Sequence, residues 1–507
     1  MRQTAHGSLA LLIGQVLSTL ILAVSTIIVA GILGSAQYGE YSKVFVPIGI
    51  ALLLQDPGIT VALTRYVSMY QGQGDEQRRR DTILTGLTFN LATAIALSSI
   101  LYIFATPIAD AFLQQRELDN MLRIASFAVI GQALINATNA IFIGYMRTEL
   151  QNLTLLIYSI IRGVTSSALV IIGFGLTGAV VGQTASYLIA GATALIITLT
   201  LIKNRGSGAH PSWATLREQL KFGTPLYVSN LIGGSLSQIM SSLMVLYVTS
   251  SEIGNYGVAL TFTVLISFLT SPIGITIYPL FSKLERGSTY LEHAYRNAVK
   301  YSSLVAIPAA LALIGLADPL IVTIYGDKYP TAAPYFAAYL LTVLTIGVGS
   351  SCQGSLLNSQ GETRTNMWRN VLSLATGAPL ALIFIPRFGI LGLIASIIAS
   401  AYPAIIYGHF IIKSKLGITF DRSSSLKIYV DSLAALAPTI LILYITNIPP
   451  IIELALGALI YFASYLVMLK ATHTLNEDDY QMFQSILGTT GPLSKPLLRL
   501  LSIYEKL

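Results

Sequence analysis

Long apolar stretches separated by short polar turns run through almost the whole chain. A helix needs about 20 such residues to cross a bilayer. Fourteen candidate spans can be marked, near residues 9–33, 44–68, 83–107, 121–145, 153–173, 177–202, 222–248, 256–281, 301–325, 335–357, 368–386, 389–412, 428–446 and 450–469. A membrane barrel would instead show alternation over segments of about ten residues. The pattern predicts an all-α polytopic membrane protein with about 14 transmembrane helices. The first run exceeds the apolar core of a secretory leader and lacks a clear cleavage site, so it is expected to be a span.

Basic residues divide unevenly between alternate connections. With the N-terminus inside, 23 Lys and Arg fall in inner segments and five (Lys43, Arg116, Arg123, Lys328, Arg387) in outer segments or span ends. Cytoplasmic loops carry the excess of Lys and Arg, so both termini are expected in the cytoplasm of a cell membrane.

The same pattern repeats. The corner Gly173-Phe174-Gly175-Leu176-Thr177-Gly178 returns 214 residues later as Phe388-Gly389-Ile390-Leu391-Gly392. Tyr38-Gly39 has a counterpart in Tyr256-Gly257, at an offset of 218. Six spans separate the copies, so they share one orientation and form a parallel repeat. The expected organisation is an N-terminal lobe (1–202), a cytoplasmic linker (203–221), a C-terminal lobe (222–412), two appended spans (413–469) and a cytoplasmic interfacial tail (470–507). In that tail Asn476 and the acids Glu477–Asp479 read as a helix start.

Composition agrees: 54% of the 507 residues are hydrophobic and 10% charged, with mean hydropathy +0.69. Soluble domains carry about 25% charged residues. The net charge of +7 lies in short loops, so it argues orientation rather than nucleic-acid binding. The single cysteine, Cys352, excludes an internal disulfide. Gly488–Lys495 lacks the spacing of a phosphate-binding loop, and the five histidines show no metal-ligand spacing. No cofactor, metal or catalytic constellation is expected, and the chain is read as a transporter rather than an enzyme.

Charged groups inside spans are therefore the candidate site. Arg162 lies midway along its span, where an arginine costs roughly 2.5–3.5 kcal/mol and normally faces a cavity or a partner. It is expected to face a cavity, or else to pair with a group such as Asp56. Asp56-Pro57-Gly58 interrupts span two and predicts a kink. Asp56 either caps the following helix or acts as a protonatable, ion-coupling group. Arg65 either snorkels to the inner interface or binds an anionic headgroup. Arg123 sits at the outer interface or lines an outer mouth. Asp318-Pro319 and Asp327-Lys328 read as a helix end and a solvated loop, and Asp431 and Glu453 as weaker candidates.

Several motifs in order resemble one family. They are Ile32-Leu33-Gly34 with Tyr38-Gly39-Glu40-Tyr41-Ser42, Asp56-Pro57-Gly58 through Arg65-Tyr66, and Tyr278-Pro279-Leu280-Phe281-Ser282-Lys283. Ala317-Asp318-Pro319-Leu320-Ile321 with Ile324-Tyr325-Gly326-Asp327-Lys328-Tyr329, and Asn358–Thr363 with Phe388–Gly392, complete the set. Over residues 8–412 the chain resembles the polysaccharide and oligosaccharide-lipid flippases of the MOP (multidrug/oligosaccharidyl-lipid/polysaccharide) exporter superfamily. The resemblance implies two six-helix lobes around a cavity that opens alternately to each side. It implies translocation of a polyprenyl- or dolichyl-(pyro)phosphate-linked oligosaccharide, with membrane lipids and glycan polymerase or transferase proteins as further partners. Arg162, Arg65 and Arg123 are then candidates for the headgroup phosphate and Asp56 for ion coupling. The competing readings are a multidrug-type cation antiporter of the same superfamily, favoured by intramembrane carboxylates, and a membrane glycosyl- or acyltransferase.

Overall fold

The computed structural model describes residues 2–202, 210–445 and 448–488, with the side chains of 2–13, 271–276, 478, 483 and 485–488 left aside. Lys203, Arg205 and the stretch 489–495 of the loop-like motif lie outside the described residues. Among the described residues there are helices and no strands. The helices run as α1 (Arg2–Gln55), α2 (Ile59–Gln73), α3 (Glu76–Ile103), the short α4 (Ala105–Pro107), α5 (Asp119–Ser126), α6 (Ala128–Gly144), α7 (Thr148–Leu169), α8 (Gly175–Ile202) and α9 (Trp213–Tyr247). They continue as α10 (Ser250–Ser282), α11 (Thr289–Gly315), α12 (Ala317–Tyr325), α13 (Ala332–Leu340), α14 (Ser350–Ser359), α15 (Thr363–Leu416), α16 (Arg422–Ile445), α17 (Pro450–Ala471) and α18 (Glu477–Gly488).

Nine of the described helical runs are long and apolar enough to cross a membrane, or ten with a bent pair at 332–359. Two of these runs, of 55 and 54 residues, span far more than one bilayer at 1.5 Å per residue. They bend instead, at Gly175 (φ 52°, ψ −134°) and at Gly389 (φ 56°, ψ −130°). Only glycine adopts this backbone without a Cβ penalty. The two bends lie 214 residues apart with nearly identical dihedrals, so the sequence repeat is also a repeat of conformation. Leu, Ile and Phe side chains such as Ile172, Ile406, Leu441 and Phe462 stand more than half exposed. Outward apolar surface on this scale is a lipid face. The chain is a multi-pass membrane protein.

The chain folds into two compact units. One comprises residues 1–268, 321–339 and 362–411; the other comprises 269–320, 340–361 and 412–507. In the first, α1 is broken at Gly34, whose backbone is non-helical (φ 74°, ψ 173°), so spans one and two meet at a one-residue corner instead of a loop. Beyond the corner α1 packs against the start of α10. A Cβ on Gly39 would strike the Ser250 carbonyl, and a Cβ on Gly254 would strike that of Ser35. Ser35 and Ser251 share a hydrogen bond at 2.9 Å between their hydroxyls. Each glycine thus faces the other segment's serine, the reciprocity of an isologous, two-fold contact. This corrects the expected counterpart of Gly39: it is Gly254, 215 residues on, while Gly257 packs against the Tyr38 ring. Overpacking costs about 1–3 kcal/mol. Gly39→Ala is therefore expected to lower the melting temperature of the purified protein, whereas Gly72→Ala, with open space around it, is not.

In the second unit, α16 and α17 pack on α11 through Ile307, Leu311, Ile428, Ala435, Tyr461 and Tyr465. Tyr465 donates to the Leu304 carbonyl and Tyr461 to the Ser432 carbonyl, both at 3.1 Å. Asp318-Pro319, expected at a helix end, opens α12 instead, because proline suits a first turn where no N–H is needed. Lys328, expected in a solvated loop, donates to the Gly31 carbonyl at 2.6 Å within the first unit. Asp431 is fully buried and accepts from Thr472 and Thr474 at 2.9 and 2.7 Å.

Candidate functional site

Arg162 stands half-buried on α7, in the first unit. Tyr158 precedes it by four residues and so shares its helix face. Beyond the Gly34 corner, α1 contributes Tyr38 and Tyr41, and α8 contributes Tyr187. The four tyrosine hydroxyls are the groups within electrostatic reach of the guanidinium. Tyr158 and Tyr187 stack at 4.8 Å between ring centroids, and Tyr38 and Tyr41 at 5.7 Å. Gln183 clamps the cage: Tyr41 Oη donates to its Oε1 at 3.1 Å, and its Nε2 donates to Tyr158 Oη at 2.9 Å. With its proton spent on Gln183, Tyr41 turns lone pairs toward the cation. Among the described residues no carboxylate lies within ion-pair distance of Arg162. A neutral oxygen cage solvates the charge without cancelling it. Against the cage lies a small cavity of about 10 Å³, bounded by Ser25, Thr26, Tyr38, Tyr41 and Ser166 among others.

A much larger cavity, of about 520 Å³, does not touch Arg162. Its polar lining comes from Ser42, Ser237, Ser241, Ser400, Tyr256 and Tyr339, set among Leu, Ile, Met and Gly. Tyr38 joins the two places. Its ring meets Gly257 on the cavity wall, and its carbonyl accepts from Ser42 Oγ at 2.9 Å.

The other expected residues are not gathered around Arg162. Asp56 sits in the break between α1 and α2, where its carboxylate accepts from the Thr60 N–H at 3.2 Å and from the Thr60 hydroxyl. The pairing of Arg162 with Asp56 is therefore corrected: the proline-glycine break turns Asp56 onto its own chain. Arg65 is exposed on α2 and lays its guanidinium over the Phe222 ring at 4.1 Å and the Tyr66 ring at 5.6 Å. Arg123 on α5 pairs with Asp119 at 3.7 Å and donates to Thr106 at 3.0 Å. Arg162 alone of the three arginines stands in a closed polar cage.

The tyrosines were not singled out in the sequence as site residues. Tyrosine in a membrane helix ordinarily marks an interface, and the cage joins the consecutive helices α7 and α8 to α1, more than a hundred residues earlier in the chain. The i, i+4 spacing of Tyr158 and Arg162 was the one local signal.

Fold and site together define a helical multi-pass membrane protein with an arginine in a polar cage beside an uncharged cavity. The solved structure of "Lipid II flippase MurJ, inward closed conformation" superposes with a TM-score of 0.75 at 15% identity, over 91% of this chain and 99% of that one. A multidrug resistance MATE family transporter of the MOP superfamily, inward-facing, gives a TM-score of 0.61 at 17% identity, over 77% of this chain and 92% of that one. At these identities the likeness is one of fold. The family model described as "Polysaccharide biosynthesis protein" matches residues 28–334, more than half of the sequence, and the chain belongs to that family. A relative described as "Probable low-salt glycan biosynthesis flippase Agl15", from Haloferax volcanii, is 24% identical over 243 residues. That match covers 45% of this chain and 49% of the relative, about half the length of each.

Proposed function

We propose that the protein is a flippase rather than an enzyme. It moves a polyprenyl- or dolichyl-(pyro)phosphate-linked oligosaccharide from the cytoplasmic to the outer leaflet by alternating access, for cell-surface polysaccharide or glycoprotein glycan assembly. The observation that carries this reading is Arg162, a cation midway along an apolar helix that shares a small cavity with the Tyr38 and Tyr41 side chains and has, among the described residues, no carboxylate within ion-pair distance. A structural arginine is normally paired. An arginine left with only neutral partners keeps its bidentate fork for an incoming phosphate. An organic-cation substrate would meet repulsion there, which argues against the antiporter reading. The small cavity beside Arg162 has room for about one water, so phosphate entry requires α1 and α7 to part.

In this reading the lobes 1–202 and 222–412 are the moving halves. The inner excess of basic residues supports placing both termini on the cytoplasmic side of a plasma or inner membrane. Glycan polymerases or transferases supply and consume the substrate. Arg65, exposed and aromatic-backed, meets the headgroup on entry, and Arg123 does so at the outer mouth. Asp56 is the ion-coupling group. Transport by Asp56→Asn is expected to lose its dependence on pH or Na⁺; an unaltered dependence retires that role.

The reading is tested by equilibrium binding of polyprenyl phosphate to the full chain in lipid nanodiscs. Binding that is weakened in Arg162→Ala and partly kept in Arg162→Lys supports it. Binding insensitive to both substitutions contradicts it.

A further inference from the structure

The large cavity carries a second, sharper inference, which rests on the flippase reading. Its lining holds no Asp, Glu, Lys, Arg or His. Its polar groups are the hydroxyls of Ser42, Ser237, Ser241, Ser400, Tyr256 and Tyr339, each able to donate and accept. Apolar Leu, Ile and Met surface separates them. Uncharged donor-acceptors set between apolar patches match a sugar ring, which presents hydroxyls at its rim and C–H groups on its faces. They do not match an ion. Arg162 is not among the lining residues; it lies in its own cage with Tyr38, whose ring meets Gly257 on the cavity wall.

We infer that the site sorts its substrate by charge: the cavity takes uncharged sugar units, and the negative charge is confined to the lipid-linked phosphate at Arg162. A uronic acid or another carboxylated sugar in the cavity would surrender its water and find neither a cation nor a fixed cluster of N–H donors. Burying a charge without a partner is costly, and each tenfold in affinity corresponds to about 1.4 kcal/mol. Lipid-linked uronosides are therefore bound at least about tenfold more weakly than their neutral counterparts. A volume of about 520 Å³ falls within the range of ordinary ligand pockets.

Three probes test this on the full chain in lipid nanodiscs: polyprenyl phosphate, polyprenyl phosphoglucose and polyprenyl phosphoglucuronate. The two sugar probes carry the same phosphodiester and differ only in the sugar carboxylate. The expected result is glucoside affinity at least tenfold above that of the glucuronide. In Ser241→Lys, which places a cation in the lining, the gap narrows to less than about threefold. A melting temperature of Ser241→Lys close to that of the parent reports that the variant is folded. Equal affinities in the unsubstituted protein, or a gap unmoved in a folded Ser241→Lys, overturn the sorting while leaving the flippase reading intact. Polyprenyl phosphate binding that does not depend on Arg162 overturns both.

Discussion

Arg162→Ala slows translocation of a lipid-linked oligosaccharide to near the unassisted rate. Removing one partner of a buried, hydrogen-bonded charge pair costs about 2–5 kcal/mol, mostly because the other charge is left without a match. The corresponding loss is roughly thirty- to several-thousand-fold. Here the stranded charge is the substrate's phosphate, surrounded by the hydroxyls of Tyr38, Tyr41, Tyr158 and Tyr187, which donate weakly compared with a guanidinium. Arg162→Lys keeps the charge but not the planar fork, so it falls between the two. Because Arg162 has no carboxylate partner among the described residues, its removal leaves none of their charges uncompensated. The melting temperature of Arg162→Ala is accordingly expected to stay close to that of the parent, and this separates a transport defect from a folding defect.

The second large effect lies in the other compact unit and concerns stability. Lys300 on α11 and Asp479 on α18 meet at 2.5 Å with side chains only 8% and 5% exposed. Tyr301 donates to the other carboxylate oxygen at 2.8 Å, and the Asn476 N–H donates to Asp479 at 2.7 Å, which closes half of a capping box. Lys300→Ala leaves a buried carboxylate without its cation, a change worth about 3–5 kcal/mol. It is expected to lower the melting temperature and to release α18, seen as faster backbone exchange over Glu477–Gly488. Replacing both residues by apolar ones of similar volume, Lys300→Met with Asp479→Leu, recovers most of the loss.

Acid acts on the same contact. Burial pushes the Asp479 carboxyl upward, but hydrogen bonds from Lys300, the Asn476 N–H and Tyr301 outweigh it and hold the group below its usual range. A carboxyl lowered in the folded state contributes fully above its unfolded value, about 3.9 for aspartate. That contribution disappears as pH falls through the lower folded value. The pH dependence of melting below about pH 4 is therefore expected to be shallower in Lys300→Ala than in the parent.

How much of this was legible in the chain depends on how local each feature is. The Gly173–Gly178 and Phe388–Gly392 corners were readable because a residue that must hold positive φ leaves glycine in both copies. Arg162 was readable because its cost in an apolar helix makes it conspicuous. The repeat counterpart of Gly39 expected from the sequence is Gly257, three residues out of register: Tyr256-Gly257 mimics Tyr38-Gly39 in sequence, whereas backbone proximity selects Gly254. The cage tyrosines and the link between Lys300 and Asp479 were not readable, since 179 residues separate that pair and each member alone has an ordinary surface explanation. Asp479 looked like a solvated first-turn acid. It is one in sequence position, but its carboxylate is buried.

The central claim is that the transported species is an anionic lipid-linked glycan. It is tested most directly in proteoliposomes by measuring, in one preparation, translocation of a labelled polyprenyl pyrophosphate-linked oligosaccharide and uptake of a labelled organic cation. Translocation of the oligosaccharide lipid that is lost in Arg162→Ala, with no uptake of the cation, is the predicted result. Cation uptake with no movement of the lipid-linked glycan would contradict it.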